Sequence, residues 1–330
     1  MRILLLGSTG LLGRNVLNLL LKSNYDVVAF VRNSHGIRDI DNRKLSVIEG
    51  SLTDEESLYK ASENCQAIIN CAGTTDMSLL HYEDYVPINV NLCKTLAKIV
   101  DTTDTKIIVH VSSANTIGYG TKERLGDEHY PMREPFASSY YAQSKREGEK
   151  YLEELATRHS ECHLIILNPG FMIGAWDSKP SSGQLLLAGY KKPIMVIPKG
   201  GKSFVAVTDV ARAVVSALTK GRNGERYLLT GEDLSLGDFY RRQSSVCNYN
   251  QLLITMPQWI VAAAGKIGDL LRLMHFRIQL STINVRQLSV MEYYTNKKAE
   301  KELDFFVTPL DDAIHEFFEW QKNMKHKNKI

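Results

Sequence analysis

Glycines 7, 10 and 13 interrupt an otherwise apolar opening, "RILLLGSTGLLGRNVLNLLLK" (2–22), and they constrain the chain more than any other feature in it. Before Gly7 stands a short Ile/Leu run of the kind buried on both faces of a parallel sheet. After it, apolar residues recur at helical spacing. Glycines placed between a strand and a helix carry a specific chemistry. The first permits the tight turn, the second lets backbone approach a pyrophosphate, and the third lets the helix pack on the strand. The helix amino terminus then offers free N–H groups to the anion. The stretch reads as a dinucleotide loop made by Gly7, Thr9, Gly10, Leu11, Leu12 and Gly13.

The chain beyond it repeats the theme. Apolar runs at 2–7, 26–32, 45–50, 67–73, 106–113 and 163–170 lack polar alternation and read as strands buried on both faces. Helical patterns at 11–22, 54–62, 83–101 and 141–158 lie between them. This alternation predicts an α/β fold with a doubly wound, Rossmann-type parallel sheet and a smaller C-terminal substrate lobe. Residues 1–170 are expected to form the dinucleotide-binding domain, with 204–232 returning to it, and 171–203 and 233–330 the lobe. Beyond residue 170, "VTDVARAVVSALTKG" reads as a helix and "RYLLTG" as a strand. Pro257 should sit in the first turn of an amphipathic core helix. Thr308 is placed to cap the last helix, and Leu310, Ile314, Phe317 and Phe318 form its buried stripe.

The end of the second strand discriminates between cofactors. A carboxylate there would hydrogen-bond a ribose 2′-hydroxyl and repel a 2′-phosphate. This strand ends "AFVRN", so Arg32, helped by Arg14, suits a 2′-phosphate, and NADP is expected ahead of NAD. "NCAG" ends the fourth strand, where Ala72 and Gly73 can pass close to the ribose.

"SSYYAQSKREGEKYL" (138–152) supplies the chemistry. Tyr141 precedes Lys145 by four residues, so the two share one helix face, whereas Tyr140 points elsewhere. A free tyrosine titrates near 10. An ammonium one turn away stabilises phenolate and is expected to lower that value. Tyr141 is then an acid/base for a carbonyl or alcohol oxygen. Ser112 and Ser113, at the end of the fifth strand, are the candidate hydroxyls to hold that oxygen.

With "GSTGLLG", "NCAG", "NVN" (89–91), "HVSSANTIG", "YAQSK", "NPGFMIG" and "TNKKAEKELDF", the chain resembles the extended short-chain dehydrogenase/reductases, the NAD-dependent epimerase/dehydratase family, in its dihydroflavonol-reductase-like branch. The resemblance implies Ser113 as oxygen donor, Tyr141 as acid/base, and Lys145 as phenolate stabiliser and ribose ligand. It implies Asn89 as a structural asparagine, Pro169, Gly170 and Phe171 beside the nicotinamide, Ser51 and Leu52 near adenine, and a homodimer through helices 83–101 and 141–158. Two positions depart from the pattern. Asn168 stands where an arginine is common, and Ser51 where an aspartate is common.

The expected activity is NADP-dependent reduction of a ketone or aldehyde, or oxidation of a secondary alcohol. The alternative is a nucleotide-sugar epimerase or dehydratase, with Lys191, Lys192, Lys199 and Lys202 as diphosphate ligands. A non-catalytic NADP sensor is disfavoured by the intact Ser113, Tyr141 and Lys145. A steroid-type dehydrogenase touching a membrane through 252–274 is a lesser reading, since a core helix explains that stretch more simply. His81, Tyr119, Tyr140 and Trp176 are candidate pocket walls. The net charge of +3 is too small to imply nucleic acid. Five cysteines without a framework or metal-like spacing point to a reducing, cytoplasmic setting and no metal, and no stretch predicts a membrane span. The lysine-rich end, "KNMKHKNKI" (322–330), is expected to fray.

Overall fold

The computed structural model describes residues 1–327 apart from 160, 179 and 180, with side chains to residue 324. The first half runs β1 (Arg2–Leu6), α1 (Leu11–Lys22), β2 (Asp26–Val31), β3 (Leu45–Glu49), α2 (Glu55–Ser62), β4 (Ala67–Asn70), α3 (Leu92–Thr102), β5 (Ile107–Val111), α4 (Tyr140–Arg158) and β6 (His163–Pro169). The second half runs β7 (Phe171–Ile173), α5 (Gly183–Gly189), β8 (Ile194–Ile197), β9 (Gly201–Ala206), α6 (Val207–Lys220), β10 (Glu225–Leu229), β11 (Glu232–Ser235), α7 (Leu236–Val246), β12 (Leu252–Thr255), α8 (Gln258–Leu273), α9 (Thr282–Gln287), β13 (Met291–Glu292), α10 (Lys297–Leu303) and α11 (Leu310–Lys327).

Seven parallel strands form the main sheet in the order β10-β6-β5-β4-β1-β2-β3. The order reverses between β1 and β4, the crevice where open α/β sheets bind their ligands. α1 and α6 cover one face through Val16, Leu17, Leu20, Val210 and Val214. α2, α3 and α4 cover the other through Leu58, Leu92, Leu96, Leu152 and Leu155. β3 corrects the expectation of strands buried on both faces. It is the sheet's edge, and Val47 stands exposed.

The glycine junction shows why its spacing matters. Gly7 has φ +79°, a left-handed conformation open to glycine. A Cβ at Gly13 would overlap the Gly7 carbonyl, whereas one at Gly10 would meet nothing nearer than that carbonyl oxygen, 3.4 Å away. The third glycine therefore seats α1 on the turn, and the second leaves an open cradle at the helix amino terminus.

The segment expected as one helix over 83–101 is broken. A 3₁₀ turn at Tyr82–Asp84 and a π-helical turn at Pro87–Asn91 precede α3. Pro87 has no N–H to continue a regular ladder. The wide turn brings Asn89 inward, where it donates to the Thr74 carbonyl and to Ser144 Oγ and accepts from the Thr74 amide.

In the lobe, β9 pairs with β11, β13 and β7, and β8 pairs with β12. Phe204 and Phe239 stack at 4.4 Å in a core closed by Leu310, Ile314 and Phe317 of α11. Thr308 does not cap α11. Its amide and hydroxyl are both bound to Asp209 (2.9 Å each), at the start of α6. Pro257 lies one residue before α8, as its N-cap. α11 continues to Lys327, so part of the expected frayed tail is helical; residues 328–330 lie outside the described residues.

Adding a methyl at Gly13 should lower stability by about 1–3 kcal/mol through overpacking. Gly10→Ala should stay within about 0.5 kcal/mol. Urea unfolding of the two variants checks the contrast.

Candidate active site

Tyr141 stands in the first turn of α4, and Lys145 and Glu149 follow on the same face at four-residue steps. Lys145 is buried and donates to the Val111 carbonyl at the end of β5 (2.8 Å). Gly73, after β4, passes beside it, and a Cβ there would lie 3.7 Å from its Nζ. Asn70 holds that turn: its Oδ1 accepts from the Ala72 amide (3.0 Å) while its Nδ2 meets His110 Nδ1 (3.1 Å). Burial holds His110 well below its ordinary value, hence neutral.

Ser113 lies just past β5, and its Oγ accepts from the Asn115 amide (3.2 Å). The Ser113 hydroxyl also reaches the Tyr141 phenol. Ser112 Oγ is buried and unpartnered among the described residues. Of the two serines left open by strand position, Ser113 is the one in the constellation. Tyr140 is exposed and packs edge-on to Tyr82, while Tyr141 faces Tyr85.

One expectation is corrected. Burial pushes the Tyr141 phenol up from its ordinary value, against a downward pull from Ser113, and nearby Glu149 adds to the rise. Burial likewise pushes the Lys145 ammonium down, opposed by Cys93, Glu149 and Cys71. Desolvation decides the direction of the Tyr141 shift, so in the chain alone Tyr141 is a protonated phenol at neutral pH.

Behind the pair lies a buried network that sequence reasoning missed. Glu149 Oε2 is paired with Arg226 of β10 (2.5 Å) and with Arg146 (2.9 Å). Its Oε1 accepts from Thr116 (2.8 Å) and Asn168 (2.9 Å). Asn168 also donates to the Ser113 carbonyl (3.1 Å). A guanidinium thus does enter this region, from the neighbouring strand instead of from position 168. The available signal was Glu149's spacing of four from Lys145 and eight from Tyr141.

Tyr141 and Ser113 line a cavity of about 1060 Å³, together with Leu11, Gly170 and Phe171. Tyr141 also borders a second cavity of about 440 Å³, with His81, Tyr140 and Leu273. Tyr119 and Trp176 line neither cavity: Tyr119 bonds the Glu134 carbonyl (2.9 Å), and Trp176 lies under Arg14 (4.3 Å). Arg32 is exposed at the end of β2 with no ion-pair partner among the described residues. Arg14 is committed elsewhere, to the Gly36 carbonyl (2.9 Å) and Asp39 (2.6 Å), and this corrects its expected help to Arg32. The Ser51 hydroxyl bonds Thr53 (2.8 Å), and Leu52 packs into the core between sheet and helices. Of the lysines offered to a diphosphate, Lys202 is paired with Glu292 (2.5 Å), and Lys191, Lys192 and Lys199 lie outside both cavities. No helix among the described residues is long and apolar enough to cross a membrane.

A glycine cradle at a helix amino terminus and a Ser–Tyr–Lys constellation beside one sheet crevice define a dinucleotide-dependent enzyme. The chain belongs to the NAD dependent epimerase/dehydratase family, whose profile matches residues 3–230. Its members are NAD(P)-dependent oxidoreductases and epimerases, and this chain is an enzyme of that type. It is 25% identical over 323 residues to a Synechocystis sp. protein that carries a provisional dihydroflavonol 4-reductase name, covering 96% of this chain and 93% of that one. It is 24% identical over 324 residues to sterol demethylase protein B of Methylococcus capsulatus, covering 97% and 98%. The crystal structure of gox2253 superposes with a TM-score of 0.82 at 24% identity over 98% of both chains.

Arg226→Met would leave the buried Glu149 carboxylate short of a partner. It should cost about 3 kcal/mol by urea unfolding, more than an exposed ion pair is worth.

Proposed function

We propose that the chain is an NADP-dependent oxidoreductase that reduces an apolar ketone or aldehyde, or oxidises the matching secondary alcohol. The observation that carries this reading is the meeting of Ser113, from the end of β5, and Tyr141, from the start of α4, on one cavity wall with Lys145 behind. The residues fit a dinucleotide: Gly10 leaves an open cradle, and Arg32 is a free cation at the end of β2. Gly7, Thr9, Gly10, Leu11, Leu12 and Gly13 would hold the pyrophosphate. Ala72, Gly73 and Lys145 would hold the ribose, Pro169, Gly170 and Phe171 the nicotinamide, and Ser51 and Leu52 the adenine side. Bound there, the cofactor supplies or accepts hydride at its nicotinamide. Ser113 orients the substrate oxygen. In reduction Tyr141 gives its proton to that oxygen as the carbon–oxygen double bond becomes a single bond; in oxidation the phenolate takes the proton back.

The substrate class follows from charge. Lys202 and Glu292 neutralise each other in the large cavity, and the other charged group lining it, Asp76, is acidic. A nucleotide-sugar diphosphate would find no uncompensated cation there, whereas apolar side chains lining it beyond the cofactor positions, such as Met172, Leu185, Ala188 and Leu288, suit a hydrocarbon skeleton. The name of the Methylococcus relative, a sterol demethylase protein, points the same way.

Tyr141→Phe should lower kcat by roughly 10²–10⁴-fold and leave NADPH binding, followed by fluorescence titration, unchanged. Tyr140→Phe should retain turnover. A non-catalytic sensor would show no turnover to lose. Arg32→Asp should weaken NADPH binding by roughly ten- to a hundredfold without weakening NADH.

The raised phenol fixes the direction of the pH effect. Reduction uses the protonated form, so its rate should be full near neutrality and fall as pH rises through the Tyr141 titration. Oxidation uses the phenolate and should rise over the same range. Opposed pH–rate profiles on a small ketone/alcohol pair check this. Faster turnover of UDP-sugars than of any apolar carbonyl would overturn the substrate assignment.

A further inference from the structure

The stretch 252–274 is not a core helix. α8 buries Val261, Gly265 and Gly268 toward the protein. Its two glycines let it lie directly on the following chain: a Cβ at Gly265 would come within 2.8 Å of Val285, and one at Gly268 would overlap the Leu280 carbonyl. The opposite face is also apolar, and nothing in the described chain covers it. Trp259 is 72% exposed and Leu273 78%, with Ile267 and Leu270 between them and Met274 and Phe276 beyond the helix end. At about 100° per residue, Trp259, Ala263, Ile267, Leu270 and Met274 fall within an arc of roughly 80°. The preceding ribbon is also bare: Leu252 pairs with Ile194 and Ile254 with Val196 across β12 and β8, all four exposed. Such a concentration of bare apolar surface marks an interaction site.

Two observations identify its occupant. First, the charges on this element are sorted by sign. Asp269 is turned inward to the Thr282 amide (2.9 Å), and Arg272 is spent on the carbonyls of Met77 (3.2 Å) and Ile278 (2.9 Å). That leaves Lys266 and Arg277 exposed, with no exposed acid between residues 258 and 280. Second, the face adjoins an entrance. Leu273 and His275 line the same cavity of about 440 Å³ that Tyr141 borders. A second copy seated on α8 would close that mouth, whereas a lipid surface would supply it.

We propose that α8 docks the enzyme on an anionic lipid bilayer. The helix lies in the interface, with Trp259, Ile267, Leu270 and Met274 among the acyl chains and Lys266 and Arg277 at the headgroups. An apolar substrate dissolved in the bilayer then enters past Leu273 to Tyr141, a route that rests on the oxidoreductase reading; docking itself does not.

The test is co-sedimentation of the full chain with phosphatidylcholine vesicles, with and without phosphatidylglycerol. The chain should bind the anionic vesicles at low salt, and the double variant Ile267→Glu, Leu270→Glu should bind at least about tenfold more weakly. Lys266→Glu with Arg277→Glu should abolish the preference for phosphatidylglycerol. Thermal unfolding and turnover of a small water-soluble ketone without vesicles should be unchanged in the Ile267/Leu270 variant. Absent turnover in every variant would therefore defeat the oxidoreductase reading and leave docking standing. No vesicle binding by the unaltered chain, or binding indifferent to the Ile267/Leu270 charges, would overturn docking. A dimer in light scattering that this double variant dissociates would assign the face to a second copy instead.

Discussion

Burying Lys145 is the constraint on which the rest of the site depends. An ammonium removed from water is costly unless its donors and its charge are both answered. The Val111 carbonyl answers one donor, and Glu149, one turn further along α4, answers the charge. Glu149 then needs partners of its own and recruits Arg226 from β10, Arg146 from α4, Thr116 from the turn after β5 and Asn168 from β6. Through Glu149, α4 is thus tied to β6, β10 and the turn after β5. Ser113 and Tyr141 keep their relation because the segments bearing them are fixed by that same network.

The two departures in the motifs have separate explanations, and only the first lies in this network. Asn168 cannot supply a charge, yet its amide reaches both Glu149 and the Ser113 carbonyl, and an arginine on the adjacent strand provides the cation. Ser51 closes a local hydroxyl turn with Thr53 in place of presenting a carboxylate. Burial opposes charge on both Tyr141 and Lys145, so the phenol's ionisation is not set by the lysine alone. Spacing along a helix reports which groups share a face. It does not report how much water they have lost, and that loss decided the sign of the Tyr141 shift.

What was legible in the sequence follows from range. The glycine junction, the parallel strands and the Tyr141–Lys145 face are local patterns, fixed by φ, by burial on both sides and by helical period, and the structure places them within three residues of expectation, the largest difference being β4, which ends at Asn70. The π-helical turn at Pro87–Asn91 escaped because it answers a long-range demand, bringing Asn89 to Thr74 and Ser144. Thr308 looked like a cap for the same reason: its amide and hydroxyl go to Asp209, 99 residues earlier in the chain. The Lys202–Glu292 pair, which argues against a diphosphate, joins residues 90 positions apart. Composition could therefore name Lys202 but not say that Glu292 would claim it.

α8 shows the remaining limit of pattern reading. An amphipathic helix ordinarily turns its apolar side to the core, and by that rule 258–273 belonged there. The rule assumes that apolar faces seek protein. Here the fully buried residues are two glycines and one valine, which give close approach and little area, with Asp269 and Arg272 bonded to the neighbouring chain, while Trp259, Ile267, Leu270 and Leu273 point outward. A core helix would distribute them the other way, with bulk inward. The asymmetry lies in side-chain size, which a hydropathy average does not weigh: small residues face the fold, large ones face out, and the exposed charges between them carry one sign. That arrangement is what a surface helix needs if its apolar neighbour is a layer of lipid, and it places the most exposed side chain of α8's last turn, Leu273, at the cavity that Tyr141 borders.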